Sequence, residues 1–330
     1  MASYPQNWKA YDIAKTTEDQ VFRKLLIELI STIKVELKPG VGRKGYSKAE
    51  KIFFLATKQY YKSDLRKTTS ILRTMVEYNV IPQAPSYSSI CNFYNEEAIT
   101  TLLEDLIFLA ALPVASIETT VAIDSTGFGT RKFQNWNEYK WGKLQGKEHL
   151  WRKLHATVGC TTNVFLTTYI TENNSNDAGA FPKTISPKLT AFDFNQFVAD
   201  KAYSARTILG AIKELGMTPF IPFRSNARRI NRGSGSNGTW KTAFDMYHND
   251  REEFDKQYHQ RSNIETAFHM LKIRFGEKLS SRNFIANKNE MLTKILCHNL
   301  CVLAQESQER AITPDFTSCS EIARACSVIK

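Results

Sequence analysis

The sequence predicts an α/β fold in which a mixed sheet is preceded by a small all-helical domain. Three observations carry that expectation. Residues 1–118 place apolar side chains at helical spacing between Pro-marked turns; from 119 the period drops to two; and beyond 176 strand-like and helix-like segments alternate.

Taken in order, "KAEKIFFLATKQYYKS" and "SDLRKTTSILRTMVEY" read as helices, "NVIPQAPSYSS" as a turn, and "ICNFYNEEAITTLLEDLIFLAAL" as a further helical stretch. The middle of this region suits either a helix-turn-helix-like unit or a plain bundle, and its net charge is only +2. "ETTVAIDSTG" is a strand ending at Asp124, followed by a basic aromatic insert over 125–149. "WRKLHATVGC" and "VFLTTYITE" are two more strands, joined by a turn at Thr161–Asn163. "NDAGAFPKTISPKL", which contains Asp177, is a short helix interrupted by proline. "QFVADKAY" is a fourth strand with Asp200 at its end, and "SARTILGAIKELG" a helix capped by Ser204 and stopped by Gly216. "MTPFIPF" is the fifth strand; the Gly/Ser/Asn-rich loop "RSNARRINRGSGSNGTW" leads to a long helix carrying Glu265. The order β-β-β-α-β-α-β-α favours a meander extended by parallel strands. The domains expected are 1–118, a helical domain with a possible role in binding DNA ends; 119–305, the sheet domain; and a tail, 306–330, with no firm reading.

Composition narrows the function. A chain of 330 residues with 42% hydrophobic and 23% charged content is that of a globular protein. The run "LIFLAALPVASI" is too short to span a bilayer and contains Pro113, so no membrane partner is expected. The N-terminus lacks a secretory pattern, and the six cysteines lack CxxC spacing, so cytoplasmic folding with reduced thiols is expected rather than a disulfide framework or a zinc site. The net charge of +11 is concentrated in residues 125–160 and 201–240, while the rest of the chain is neutral overall. The first block interleaves Arg131 and Lys132 with Trp136, Trp141 and other aromatics; the second contains Arg228 and Arg229. Localised positive charge beside aromatic faces suits a nucleic-acid partner; the alternative is a solubilising surface with local core aromatics.

Three carboxylates hold distinctive places. Asp124 and Asp200 end strands, and groups at strand ends of an open α/β sheet converge on one crevice. Glu265 lies in "YHQRSNIETAFHMLK", where at about 100° per residue Tyr258, Arg261, Glu265 and Lys272 project within roughly 60° of one another. The apolar residues Ile264, Ala267, Phe268, Leu271 and Phe275 form the neighbouring face. Read alone, the polar stripe could be a solvated face with an Arg261–Glu265 pair worth a few tenths of a kcal/mol. Oxygen-only ligands of this kind suit Mg²⁺ or Mn²⁺, two of which can activate a nucleophile and stabilise a leaving oxygen in phosphodiester cleavage.

"VAIDSTG", "FVADKAY" and "YHQRSNIETAFHMLK" together resemble the DDE-type transposases of prokaryotic insertion sequences, the last with the Y-(2)-R-(3)-E-(6)-K spacing of that group. The likeness covers about 119 to 304. It implies a ribonuclease-H-like catalytic domain in which Asp124, Asp200 and Glu265 hold two divalent ions, while Tyr258, Arg261 and Lys272 contact phosphates at the element's end. Asp177 resembles a recurrent family position and either orients the site or caps the helix that follows. His269, on the same stripe, reads as a packed or hydrogen-bonded histidine, and His155 as structural on its strand. The resemblance further implies cleavage at terminal inverted repeats, strand transfer into target DNA and a homodimer on paired ends. The rivals are a catalytically silent DNA-binding relative and a structure-selective nuclease. Only 64 residues separate Asp200 from Glu265, so the long β-rich insertion of some relatives is missing. The 125–149 insert is expected to pack on DNA, with Trp136 or Trp141 stacked on a distorted base; the alternative is a local core.

Overall fold

In the computed structural model, which describes residues 7–33, 45–130, 151–172, 175–230 and 235–325, five strands form one mixed sheet. They are β1 (Thr120–Gly129), β2 (Trp151–Gly159), β3 (Phe165–Glu172), β4 (Gln196–Ala199) and β5 (Thr218–Phe220), side by side as β3-β2-β1-β4-β5. The first three form an antiparallel meander; β4 then pairs parallel to β1, and β5 parallel to β4. A parallel neighbour needs a crossover. Helix α6 (Asp177–Thr184) with a 3-10 turn lies between β3 and β4, and α7 (Arg206–Glu214) between β4 and β5. Val121, Ala122 and Ile123 are fully buried at the start of β1, as expected of a central strand covered on both faces.

The β2–β3 turn is held by a buried carboxylate. Glu118 accepts from the Thr161 and Thr162 amides (3.0 and 2.8 Å) and from the Thr162 hydroxyl (2.6 Å), while Asn163 takes a positive φ of 64°. Gly159 leaves room for this: a Cβ there would lie 2.4 Å from the Glu118 carboxyl carbon. Gly159→Ala is therefore expected to destabilise the sheet by about 1–3 kcal/mol, seen as a lower melting temperature; an unchanged melt would contradict this packing.

Several boundaries differ from the sequence expectation. β1 does not stop at Asp124 but runs on to Gly129, because the polar "DSTGFG" keeps its antiparallel partners from Ala156 to Trp151. Ser204 does not cap α7; its hydroxyl donates to the Lys201 carbonyl, and Ala205 takes the cap position without a side-chain bond. Gly216, at φ 83°, ends that helix region as expected. The expected loop after β5 already turns helical at Ser236, where α8 (Ser236–Asn249) begins. Close packing of α7 on α8 explains the start: a Cβ on Gly210 would lie 2.4 Å from Ser236 Oγ. The single long helix bearing Glu265 is in fact α8, α9 (Arg251–Tyr258), a 3-10 turn (His259–Arg261) and α10 (Ser262–Phe275). Ile264, Ala267, Phe268, Leu271 and Phe275 are buried, the face that the spacing predicts.

Contacts divide the chain into two units, with the division falling inside α10 after Lys272. One unit holds the sheet: Val114–Gly129 and the described part of Glu148–Lys272. The other joins the described part of Met1–Pro113 with Ile273–Glu321, so residues 273–305, expected in the sheet domain, group with the N-terminal helices. The reason is α11 (Phe284–Glu309), buried along most of its length and packed by α1 (Trp8–Ser31), α2 (Lys48–Tyr60) and α5 (Glu97–Ala111). Its buried polar groups are satisfied across the bundle: Asn289 donates to the Tyr94 and Glu96 carbonyls and accepts from Thr100, and Asn299 donates to the Ile107 carbonyl. α3 (Leu65–Glu77) and α4 (Tyr87–Phe93) complete the N-terminal set. The helical stretch expected from Ile90 is divided between α4 and α5, where Glu96 adopts extended backbone and pairs with Lys51. Glu97–Ile117 has the length and hydropathy of a membrane span, but Ile99, Leu103, Ile107 and Phe108 are buried in the protein core. The five described cysteines are free thiols.

Candidate active site

The parallel pairing of β1 with β4 ends at Ile123 opposite Ala199. The next residue in each segment is an aspartate: Asp124 continues along β1 opposite Ala156, and Asp200 directly follows the end of β4, on neighbouring strands about 4.8 Å apart. Burial raises the proton affinity of Asp124, and the charges of Asp200 and Asp177 add to the effect, outweighing the Ser125 amide bond and Arg261. Asp200 also caps a 3-10 turn, accepting from the Ala202 amide at 2.6 Å.

Arg261 links the first carboxylate to the third. Its Nη2 donates to Asp124 Oδ2 at 3.0 Å and its Nη1 to Glu265 Oε1 at 2.7 Å, so one guanidinium spans both. Its Nε is buried with no hydrogen-bond partner. Glu265 itself is largely exposed, 59% by side chain. Among the described residues no three His, Cys, Asp or Glu side chains are grouped at metal-binding spacing, and the geometry gives the reason: a guanidinium occupies the space between Asp124 and Glu265.

A second cluster borders the first. Asp177 opens α6, with Oδ1 2.8 Å from Lys153 Nζ and 3.3 Å from His155 Nδ1. Burial works to raise its pKa, but bonds from Lys153 and the Ser125 side chain, with the Lys153 charge, bring it below the usual value. The helix cap is supplied by Asn176, whose side chain accepts from the Ala178 amide at 3.2 Å, which leaves Asp177 free to face Lys153. His155 is buried on β2 and shares a bond with Thr171 Oγ1 at 3.1 Å. Tyr203, one turn after Asp200, is buried with its hydroxyl lacking any hydrogen-bond partner. Burial, with the charges of Asp177, Asp124 and Asp200, pushes its phenol far upward, so it remains a donor.

The other predicted residues fall in different surroundings. Tyr258 is half-buried and stacked on Phe254, and burial raises its pKa, with Asp200, Asp124 and Glu265 adding to the rise against Arg261. Lys272 Nζ lies 5.5 Å from the centre of the Phe128 ring. Arg229 is held bidentately by Asp245 of α8 at 2.5 and 2.7 Å, and Arg228 is exposed with its carbonyl accepting from Trp240 Nε1. His269 is exposed, contrary to its expected packing, because it lies off the buried face of α10. Arg131, Lys132, Trp136 and Trp141 lie outside the described residues. Sequence reasoning missed Lys153 and Tyr203; the three-residue step from Asp200 to Tyr203 in "FVADKAY" was the available signal for the latter.

The family model described as transposase DDE domain matches residues 115–300, more than half of the chain and all four carboxylates. The chain belongs to this family. It is also similar to a cryo-EM structure of a piggyBac transposase synaptic complex with hairpin DNA, over 93% of this chain and 76% of that one, at 13% identity and a TM-score of 0.44.

DDE transposase domains generally use divalent metal ions, and the residues of this DDE domain fit such ions in chemistry. The donors are carboxylate oxygens, Asp124 carries a raised proton affinity that a nearby divalent charge would relieve, and Tyr203 supplies a buried hydroxyl without a partner. His155 serves a different purpose. Burial lowers its pKa to about 4, ahead of the opposing pull of Asp177, so the imidazole is neutral at pH 7. Its folded pKa lies below the ordinary 6.5, so the unfolded state binds more protons between pH 6.5 and 4, and this contribution to stability is lost as pH falls through that window. An NMR titration of the imidazole is expected to show a midpoint near 4; a midpoint at 6.5 or above would contradict the buried placement.

Proposed function

We propose that the protein is a DNA transposase that cleaves phosphodiesters at the ends of its element and transfers the freed strand into target DNA. The observation that carries this reading is the register of β1 on β4, which sets Asp124 beside Asp200, with Arg261 joining Asp124 to Glu265. On this reading the sheet is ribonuclease-H-like and Asp124, Asp200 and Glu265 hold divalent ions, Mg²⁺ or Mn²⁺. When bound, two such ions activate an attacking oxygen and stabilise the leaving one.

The residues of the chain supply positioning. Arg261 neutralises Asp124 and Glu265 in the DNA-free state, and its planar fork is equally suited to a bridging phosphate. Engaging the scissile phosphate would release both carboxylates from the guanidinium. Tyr258 offers a neutral hydroxyl at the same edge, and Lys272 a point charge for the next phosphate. Tyr203 Oη remains protonated, a buried donor without a partner beside the aspartate charges, and Lys153 holds Asp177 in place.

The test is cleavage and joining of a labelled duplex carrying the native element end, with Mg²⁺, with Ca²⁺ and with Glu265→Gln. Cuts at the boundary plus joined products, lost with Ca²⁺ and in the variant, support the reading. Cuts without joining indicate a nuclease, and binding without cuts a silent relative.

A further inference from the structure

The helical unit contains a cavity of about 950 Å³ with an uneven charge. Its lining comes from the end of α2, the start of α3, the end of α4, the 276–283 segment and the start of α11. Seven cations line it, Lys58, Lys62, Arg66, Lys67, Lys278, Arg282 and Lys294, against two carboxylates, Asp64 and Glu290. Both carboxylates are committed internally. Asp64 caps α3 by accepting from the Arg66 and Lys67 amides at 2.9 Å, and Glu290 accepts from the amides and hydroxyls of Ser280 and Ser281 at 2.7–3.0 Å.

The cations divide by depth. Lys58 and Lys294 are buried, and Lys294 Nζ donates to the Gly276 and Lys278 carbonyls, fixing the segment that forms one wall. Lys62, Arg66, Lys67, Lys278 and Arg282 are exposed around the opening. Like charges gathered around one opening repel, and an anion seated there relieves the repulsion. The volume is several times what a single inorganic phosphate fills. A ring of separate exposed cations over a wide opening fits a polymer that brings one negative charge per about 1.7 Å of axis.

We propose that this cavity is a DNA-backbone site, separate from the carboxylate cluster, in which Arg66, Lys67, Lys278 and Arg282 engage phosphates of duplex DNA. This rests on the reading of the chain as a DNA transposase. Such contacts are indifferent to sequence and add affinity and register rather than specificity.

The experiment uses the full chain and fluorescence anisotropy on a labelled duplex carrying the element end, titrated across NaCl concentrations. Arg66→Gln/Lys67→Gln/Arg282→Gln is expected to bind at least about tenfold more weakly at 0.1 M salt, with the log–log salt slope reduced by about 2–3, since each phosphate contact contributes about 0.9. Lys278→Gln/Arg282→Gln, on the other wall, should show a smaller loss of the same kind, and guards against misfolding of the triple variant; melting curves report the fold of both. Affinity and slope equal to wild type in both variants would overturn the proposal. So would tripolyphosphate raising the wild-type melting temperature while DNA affinity stays indifferent to the substitutions, which marks a small-anion site. Mg²⁺-dependent cutting of the same duplex separates the two readings. A wild type that binds with the full slope, loses it in the variants and cuts nothing retains the cavity site and removes the transposase reading. A wild type that cuts, beside variants that bind unchanged, does the reverse.

Discussion

Asp124→Asn is expected to reduce Mg²⁺-dependent DNA cleavage by about 10³-fold or more while leaving duplex affinity within a few-fold of wild type. On the proposed two-ion reading the size follows from removing a charged oxygen donor where a divalent ion would stabilise developing charge, a contribution of several kcal/mol to the barrier. The substitution keeps the shape of the side chain but leaves one acceptor oxygen, which can serve the Ser125 amide or Arg261 but not both. The charge and one of these bonds are lost, while the strand pairing of the backbone persists. Without that charge, Arg261 retains Glu265 as its anionic partner, and the pair leaves Asp200 without the neighbour that β1 sets beside it. Gel assays of cleavage, run beside anisotropy on the same duplex, separate the two effects. Cleavage within tenfold of wild type would remove Asp124 from the catalytic group.

Glu290→Ala is expected to have the largest effect on stability, a loss of about 3–5 kcal/mol in the helical unit. Glu290 is 2% exposed and receives amide and hydroxyl bonds from Ser280 and Ser281. Burial alone would raise its pKa; the charges of Lys58 and Lys294 and the serine bonds outweigh this and hold it below the usual value. A carboxylate with a depressed folded pKa stabilises the fold above its unfolded pKa of 4.5, and the contribution fades as pH falls through the folded value. Removing the carboxylate leaves the buried Lys58 and Lys294 without their anionic neighbour and takes the acceptor from the amides and hydroxyls of Ser280 and Ser281. Melting curves from pH 7 down to 3 are the measurement. Wild type should lose stability below about pH 4.5, while Glu290→Gln should start lower and depend less on pH in that range. A Glu290→Ala melt within 1 °C of wild type would contradict the buried network.

Much of the sheet and the two aspartates was legible because strand periodicity and the residues around them agree: "VAID" and "FVAD" are apolar runs closed by an acid, and the parallel pairing ends at those acids. The end of β1 was misread because "DSTGFG" has the composition of a turn, whereas its pairing is set by β2, a partner far along the chain. The face of α10 was legible from spacing alone. Lys153 and Tyr203 were not, since a lysine on an alternating strand and a tyrosine after a strand gain meaning only when Asp177 and Asp200 are near. The basic cavity was hidden for the same reason. Residues 1–118 are almost neutral, and the excess appears only when Lys58–Lys67 meets the segment from Lys278 to Lys294.

The burial of α11 among the N-terminal helices has a consequence for biosynthesis. The ribosome delivers α1 to α5 long before Phe284 emerges, an interval on the order of ten to thirty seconds at about 5–20 residues per second. During that time Leu103, Ile107 and their neighbours lack the helix that covers them, and the whole sheet segment is made in between. Helices α1, α2 and α5, made early relative to α11, are thus among the last to finish folding. A chain cut short before residue 284 would lose the packing of these helices along with α11, so a nascent-chain protease assay should find them cleavable until α11 has left the exit tunnel.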